Sequence, residues 1–257
     1  MILHAKDLTL PPRLLPTSLT AEAGQVVHLI GPNGSGKSTL LQLLSGLEQP
    51  NSGDVWLQGQ LVAGQTRYDL AQSRGYLMQH QRPAFVMAVF EYLNLVLDSL
   101  QLTAGATRDK AVAEVVSRLA IGDKLHRRID SLSGGEWQRV RLAGAFLQVS
   151  KALNPHACLL LLDEPSTGLD VAQQEVVYQQ ISALAREQGI AVVMANHDLN
   201  RTLEHADTVV VLKQGGVVSK GAPKKVLTDV LLSHVYDTPL EQVSTANGPV
   251  IMRASSA

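Results

Sequence analysis

The sequence predicts an α/β fold: a mixed sheet core, a helical subdomain inserted into it, and an antiparallel β region at the N-terminal side. Three observations carry this expectation. Short Val-, Ile- and Leu-rich runs at 25–30, 157–162, 190–195 and 208–212 are continuously apolar, the habit of parallel strands covered on both faces. Helix-like segments at 37–46, 171–188 and 198–205 alternate with them, which makes the layered arrangement of an α/β domain. Residues 86–150 hold mostly helical periodicity, through Val112, Val115, Val116 and Leu119, and form the inserted part.

In chain order, "MILHAKDLTL" and "GDVWLQGQLV" alternate apolar with polar residues, as half-buried antiparallel strands do, and a mixed sheet is expected to lead from them into the parallel core. The run 25–30 feeds directly into "GPNGSGKST". A short strand, "RGYLM", precedes Gln79. "KQGGVVSKG" has the composition of a tight hairpin, and the tail "STANGPVIMRASSA" is expected to fray beyond its apolar part. The whole reads as a single domain, with 1–85 and 151–257 as the α/β core and 86–150 as the helical subdomain.

Composition narrows the function classes. The chain has 257 residues, of which 45% are hydrophobic, enough for an ordinary globular core. Its 22 Lys and Arg nearly balance 23 Asp and Glu, so no net field draws the whole surface to nucleic acid, which is disfavoured as a partner. Cys158 has no second cysteine to pair with and sits in an apolar run, which suits core packing in a reducing compartment. The N-terminus lacks the basic and apolar pattern of a secretory signal, and the longest apolar run, 84–90, falls well short of the roughly 18 residues of a spanning helix.

Chemistry concentrates at the strand ends. In "GPNGSGKST", Gly31, Pro32, Asn33, Gly34, Ser35, Gly36, Lys37, Ser38 and Thr39 stand between a strand and a helix, as a phosphate-binding loop requires. The glycines let backbone N–H groups wrap phosphate oxygens, Lys37 reaches the terminal phosphates, and Ser38 offers a hydroxyl to Mg²⁺. "LLLLLDEP" ends a buried strand in two acids at the carboxyl edge of the sheet, where ligands of open α/β sheets bind. Asp163 is the expected Mg²⁺ group and Glu164 the expected general base toward an attacking water. His197 ends the run "GIAVVMANHD" on the same edge, placed to donate to the terminal phosphate, and Gln79 arrives there as a Mg²⁺ or water ligand. His4, His28, His80, His126, His156, His205 and His234 read as structural.

A second anion cradle stands apart from this loop. In "LSGGEWQRVRLA" the N–H groups near Ser133, Gly134 and Gly135 open a helix, and the double glycine exceeds what a capped helix needs. The cradle is expected to serve the nucleotide of a second copy, two ATP molecules being buried in a two-fold homodimer.

The phosphate loop, "LSGGE", "LLLLLDEP", "TGLD" at 167–170 and "NHD" at 196–198 resemble, in order and spacing, the ATPase subunits of ABC transporters. The resemblance runs from the first strand to about residue 225. It implies ATP and Mg²⁺ as cofactors, Gln79 as the residue coupling nucleotide to the membrane subunits, Asp170 as a contact across the dimer, and His197 as the switch histidine. It also implies two transmembrane permease subunits as partners, a periplasmic substrate-binding protein acting indirectly, and a peripheral position on the cytoplasmic face of the bacterial inner membrane. "LSGGEWQRVRLAGAFLQ", "VSKALNPHA", "LDVAQQ" and "NHDLNRTLEHAD" are similar to the ATPases of vitamin B12 importers, and ATPases of siderophore and haem importers remain rivals. A soluble member acting on DNA or ribosomes fits less well, since the chain lacks a duplicated cassette, a long coiled coil and a basic surface. Two departures stand out. Residues 1–30 hold no aromatic side chain to stack on adenine, leaving Arg13 as the nearest planar substitute, and Glu136 stands where glutamine is commoner. Phe85 and Met87 are candidates for a permease-facing groove near Gln79.

Overall fold

The computed structural model describes residues 1–79, 86–101, 105–246 and 248–254. Five strands open the chain: β1 (Leu3–Leu10), β2 (Leu14–Ala21), β3 (Val26–Ile30), β4 (Ser52–Leu57) and β5 (Gln60–Leu61), with helix α1 (Lys37–Ser45) after β3. All but β3 form an antiparallel sheet in the order β2-β1-β4-β5. The alternating pattern therefore builds the expected antiparallel N-terminal region, as a sheet of its own separate from the core sheet. The reason is β3: buried at every position, it needs cover on both faces, and the N-terminal sheet with α1 supplies one of them.

The core sheet is completed by β6 (Arg74–Leu77), β7 (Leu159–Asp163), β8 (Ala191–Ala195), β9 (Thr208–Lys213) and β10 (Gly216–Gly221), in the order β10-β9-β3-β8-β7-β6. Five of its strands run parallel, and β10 returns antiparallel at the edge, so the core is mixed through its last strand. Gln214 and Gly215 form the two-residue turn of the expected hairpin, both with positive φ, the geometry that matches strand twist.

Alternate residues of the buried strands pack into different layers. Leu159, Leu161 and Val193 join α1 and the N-terminal sheet, whereas Leu160, Leu162, Val192 and Met194 face the helical layer. That layer comprises α3 (Val89–Asp98), α4 (Ala106–Arg118), α5 (Gly134–Val149) and α6 (Val171–Gln188), and a short α2 (Arg67–Ser73) leads into β6. α5 is buried nearly all round, contacting β6 and β7 on one side and α3 and α4 on the other. No helix among the described residues is long and apolar enough to cross a membrane.

The C-terminal part adds elements that the sequence pattern does not announce. α7 (Leu199–His205) follows β8, and after β10 come α8 (Pro223–Val226), α9 (Asp229–Tyr236) and a hairpin of β11 (Leu240–Thr245) with β12 (Gly248–Arg253). The apolar part of the tail is a strand pair, held because Ile251 is buried and the Asn200 amide bonds both the N–H and the carbonyl of Ile251, at 2.7 and 3.1 Å, and residues 255–257, where fraying is expected, lie outside the described residues. Ile30, Val209 and Val211 share this cluster with Leu232 and Val235.

Truncating a side chain at the centre of the sheet tests this packing. Leu161→Ala empties a fully buried position in β7 and is expected to cost about 2–5 kcal/mol, read as a lower urea midpoint at unchanged slope.

Candidate nucleotide site

The phosphate loop takes its shape from contacts behind it. Gly31 has φ 147°, and a Cβ there would lie 2.1 Å from the Leu212 carbonyl oxygen, so no other residue fits. The loop rests on the β9–β10 turn, with the Gly215 N–H donating to the Ser35 carbonyl at 3.1 Å. α1 starts at Lys37 behind Gly36, which offers no side-chain cap, so the first N–H groups of the helix stay free for an anion.

Lys37 is buried and folds back onto the loop, its Nζ donating to the Gly31 and Pro32 carbonyls at 2.8 and 3.0 Å. Burial lowers its ammonium below the ordinary lysine range, with Glu164 and Asp163 pulling the other way. Asp163 ends β7 almost fully buried, and its Oδ1 has no hydrogen-bond partner. Burial raises its carboxyl above the ordinary range, the Ser38 hydroxyl holds it back, and the Glu164 charge adds to the rise. An unpartnered carboxylate oxygen beside a hydroxyl is a hard-oxygen donor set that fits Mg²⁺.

Glu164 sits at φ 52°, a left-handed conformation that non-glycine residues adopt at a cost. Its N–H donates to the Ala195 carbonyl at 3.2 Å, and its carboxylate accepts from Thr167 Oγ1 at 3.2 Å and contacts His197 Nε2. His197 follows Asn196, whose buried amide donates to Thr202 at 3.3 Å and whose Oδ1 accepts the Asp198 N–H at 3.1 Å. Arg13, Asn33 to Thr39, Gln79, Glu164 and His197 line one open cavity of about 610 Å³. Residues from five separate chain segments thus meet at one strand edge. Arg13 reaches it on the turn after β1, with its guanidinium paired to Glu48.

Ser133, Gly134, Gly135 and Asp170 do not line that cavity. Ser133 caps α5 through a capping box with Glu136: its Oγ accepts the Glu136 N–H at 3.2 Å, and Glu136 Oε2 accepts the Ser133 N–H at 2.8 Å. Space around Gly134 is open, whereas a Cβ on Gly135 would press to 2.7 Å from the Gly168 carbonyl oxygen. Asp170 caps α6, accepting the Gln173 N–H at 2.8 Å. Glu136 turns its carboxylate onto the Ser133 N–H, which takes that donor out of the cradle and leaves it the Gly134 and Gly135 N–H groups. The Ser133 N–H bond, with Lys124 and Arg127 alongside, lowers its carboxyl to about 2.

Among the histidines read as structural, His28 is fully buried, with its pKa lowered to about 3 by desolvation, and its Nδ1 lies 3.1 Å from Thr202 Oγ1. His205 stacks on Tyr178, and His4 on Trp56. Phe85 and His80 lie outside the described residues. Met87 is half-buried against the core of the helical layer, which accounts for it as packing. Sequence reading missed Thr167, although it lies in the quoted "TGLD", and Gln138, whose Nε2 donates to the Pro165 carbonyl at 2.9 Å. It also missed Tyr236, half-buried on α9 with its hydroxyl oxygen enclosed and, among the described residues, without a hydrogen-bond partner. The last two depend on contacts between distant segments that no local pattern announces.

The ABC transporter family profile matches residues 14–167. The chain belongs to the ABC transporter family. It is 51% identical to the vitamin B12 import ATP-binding protein BtuD of Photobacterium profundum, covering 95% of each chain. It is 48% identical to the protein of the same name from Vibrio atlanticus, covering 96% of this chain and 97% of that one. A solved ATP-binding subunit of an ABC transporter superposes with a TM-score of 0.81 at 23% identity, covering 92% of this chain and 98% of the other.

The Glu136 arrangement has a pH signature. Its carboxyl lies at about 2 against an ordinary 4.5, so the folded state binds fewer protons than the unfolded one. Its stabilising contribution is complete above the unfolded value and is lost as pH falls through the folded one. Urea titrations from pH 6 to about 2 are expected to show wild type losing stability over that window relative to Glu136→Gln.

Proposed function

We propose that the chain is the ATP-hydrolysing subunit of an importer that carries vitamin B12 through a membrane permease. Its family membership makes it an ABC ATPase. The cargo reading rests on nearly full-length identity to vitamin B12 import ATP-binding proteins. The chemical reading rests on one observation: Lys37, Gln79, Glu164 and His197 reach a single cavity, beside a buried Asp163 with an unpartnered oxygen.

The loop 31–39 wraps the phosphates through its N–H groups, and Lys37 exchanges the Gly31 and Pro32 carbonyls for phosphate oxygens. Arg13 provides a planar surface for the base at the cavity rim, in place of an aromatic ring. Mg²⁺, when bound, neutralises phosphate charge, and Ser38, Asp163 and Gln79 would hold it. Glu164 takes the proton of the attacking water. Its carboxylate faces His197, so the imidazole orients it in the free state and turns to the terminal phosphate when nucleotide arrives.

A second copy of the chain supplies the remaining anion contacts. The N–H groups at Gly134 and Gly135, with Ser133 capping the helix and Asp170 two residues past the Gly168 carbonyl that Gly135 approaches, meet the phosphate loop of the opposite copy, so ATP joins the two and hydrolysis frees them. The partners are two permease subunits docked near Gln79, with a periplasmic binding protein delivering cargo to them. The subunit works at the cytoplasmic face of the bacterial inner membrane and binds no nucleic acid.

Glu164→Gln is expected to lower turnover by about 10²–10⁴-fold with ATP binding retained, measured by phosphate release and nucleotide titration. Lys37→Ala is expected to lose ATP binding itself. Expressed in a bacterium lacking its cobalamin-import ATPase, the chain is expected to restore uptake of labelled vitamin B12. Restored uptake of a siderophore or haem in a matching strain, without vitamin B12, would reassign the cargo.

A further inference from the structure

Arg141 is a buried cation with no ion pair among the described residues, Asp163 acting on it only at longer range. It lies on α5, 6% exposed, and among the described residues no carboxylate comes within ion-pair distance. Burying a guanidinium against neutral acceptors is costly, and an apolar side chain of similar volume packs such a position more cheaply. Its donors go to two places. Nη2 donates to the carbonyl of Met78, the residue before Gln79, and Nη1 donates to Gln138 Oε1 at 3.0 Å.

The second contact sets a polarity. Arginine has only donors, so the Gln138 amide must present its oxygen to Arg141 and its NH₂ to the other side. On that side lie the carbonyls of Glu164 and Pro165, 3.4 and 2.9 Å from Nε2. The peptide so held carries Glu164 at φ 52°, a conformation that persists only where the surroundings impose it. One chain of hydrogen bonds therefore runs from residue 78 through Arg141 and Gln138 to residues 164–165.

We propose that Arg141 is a positioning residue, fixing the Gln138 amide so that it holds the strained Glu164 backbone in register with the segment carrying Gln79. The proposal rests on the general-base reading of Glu164. It assigns no substrate contact to Arg141, and ATP affinity is left to the phosphate loop.

The test is steady-state ATP hydrolysis by the full chain carrying Arg141→Met, Arg141→Lys, Gln138→Ala or the Arg141→Met/Gln138→Ala pair. Arg141→Met is expected to lower kcat by about tenfold to a hundredfold while KM for ATP stays within about twofold. Arg141→Lys keeps the charge but cannot hold two acceptors in one plane, so kcat stays below wild type. The paired variant is expected to be no slower than the slower single one, because both changes break one chain. Wild-type kcat in Arg141→Met, additive losses in the pair, or a KM rise that tracks a lower unfolding midpoint would each overturn the proposal. If Arg141→Met does not fold, Gln138→Ala decides alone: a selective kcat loss supports the proposal and an unchanged kcat overturns it. Glu164→Gln run alongside separates the two levels. Wild-type turnover in that variant removes the general-base reading, whereas a slow Glu164→Gln beside a fast Arg141→Met removes only the role given to Arg141.

Discussion

Every group in the candidate site depends on one constraint, the shared direction of strands that are buried on both faces. β3, β7 and β8 contribute apolar residues to two layers at once, and their parallel pairing makes them end on the same edge. Residues at 31, 163–164 and 196–197 become neighbours for that reason alone, and β6 adds the turn at 78–79. The apolar burial that holds the strands together thus also sets the spacing of the polar groups at their ends.

That edge is electrostatically unsettled without a ligand. Lys37 is drawn into carbonyl contacts, Asp163 keeps an unpartnered oxygen, and Glu164 leans on a histidine. Each of these is the weak local solution of a side chain whose better partner is an anion or a cation not made by the protein. Helix α5 shows the opposite balance at its start. Its acid is fully committed to the capping box and to two cations, and the adjoining glycine N–H groups are left clear.

The sequence carried the parallel core, the phosphate loop, the strand-end acids, the place of His197 on the same edge and the β9–β10 hairpin, because each leaves a local mark. Continuous apolar runs, a glycine-rich spacing and a two-residue turn are written over ten residues or fewer. The separation of the N-terminal strands into their own sheet was not legible, since alternation shows which face is buried and not what covers it. The C-terminal hairpin was not legible for a related reason: Ile251 is anchored by Asn200 on α7, far away in the chain. Gln138 and Tyr236 escaped notice on the same ground, and the Glu136 departure was explained only once its bonds to Ser133 and the neighbouring cations were in view.

The register of β3 has a consequence for how the chain is made. Val26 pairs with Val192 and Val27 with Thr208, so this strand leaves the ribosome long before either neighbour exists. Throughout that interval a segment destined for complete burial has no sheet to enter, and the loop after it has no β9–β10 turn to lean on. Protein synthesis therefore makes the strand behind the nucleotide-binding loop early and its partners late, so β3 waits unpaired through most of translation.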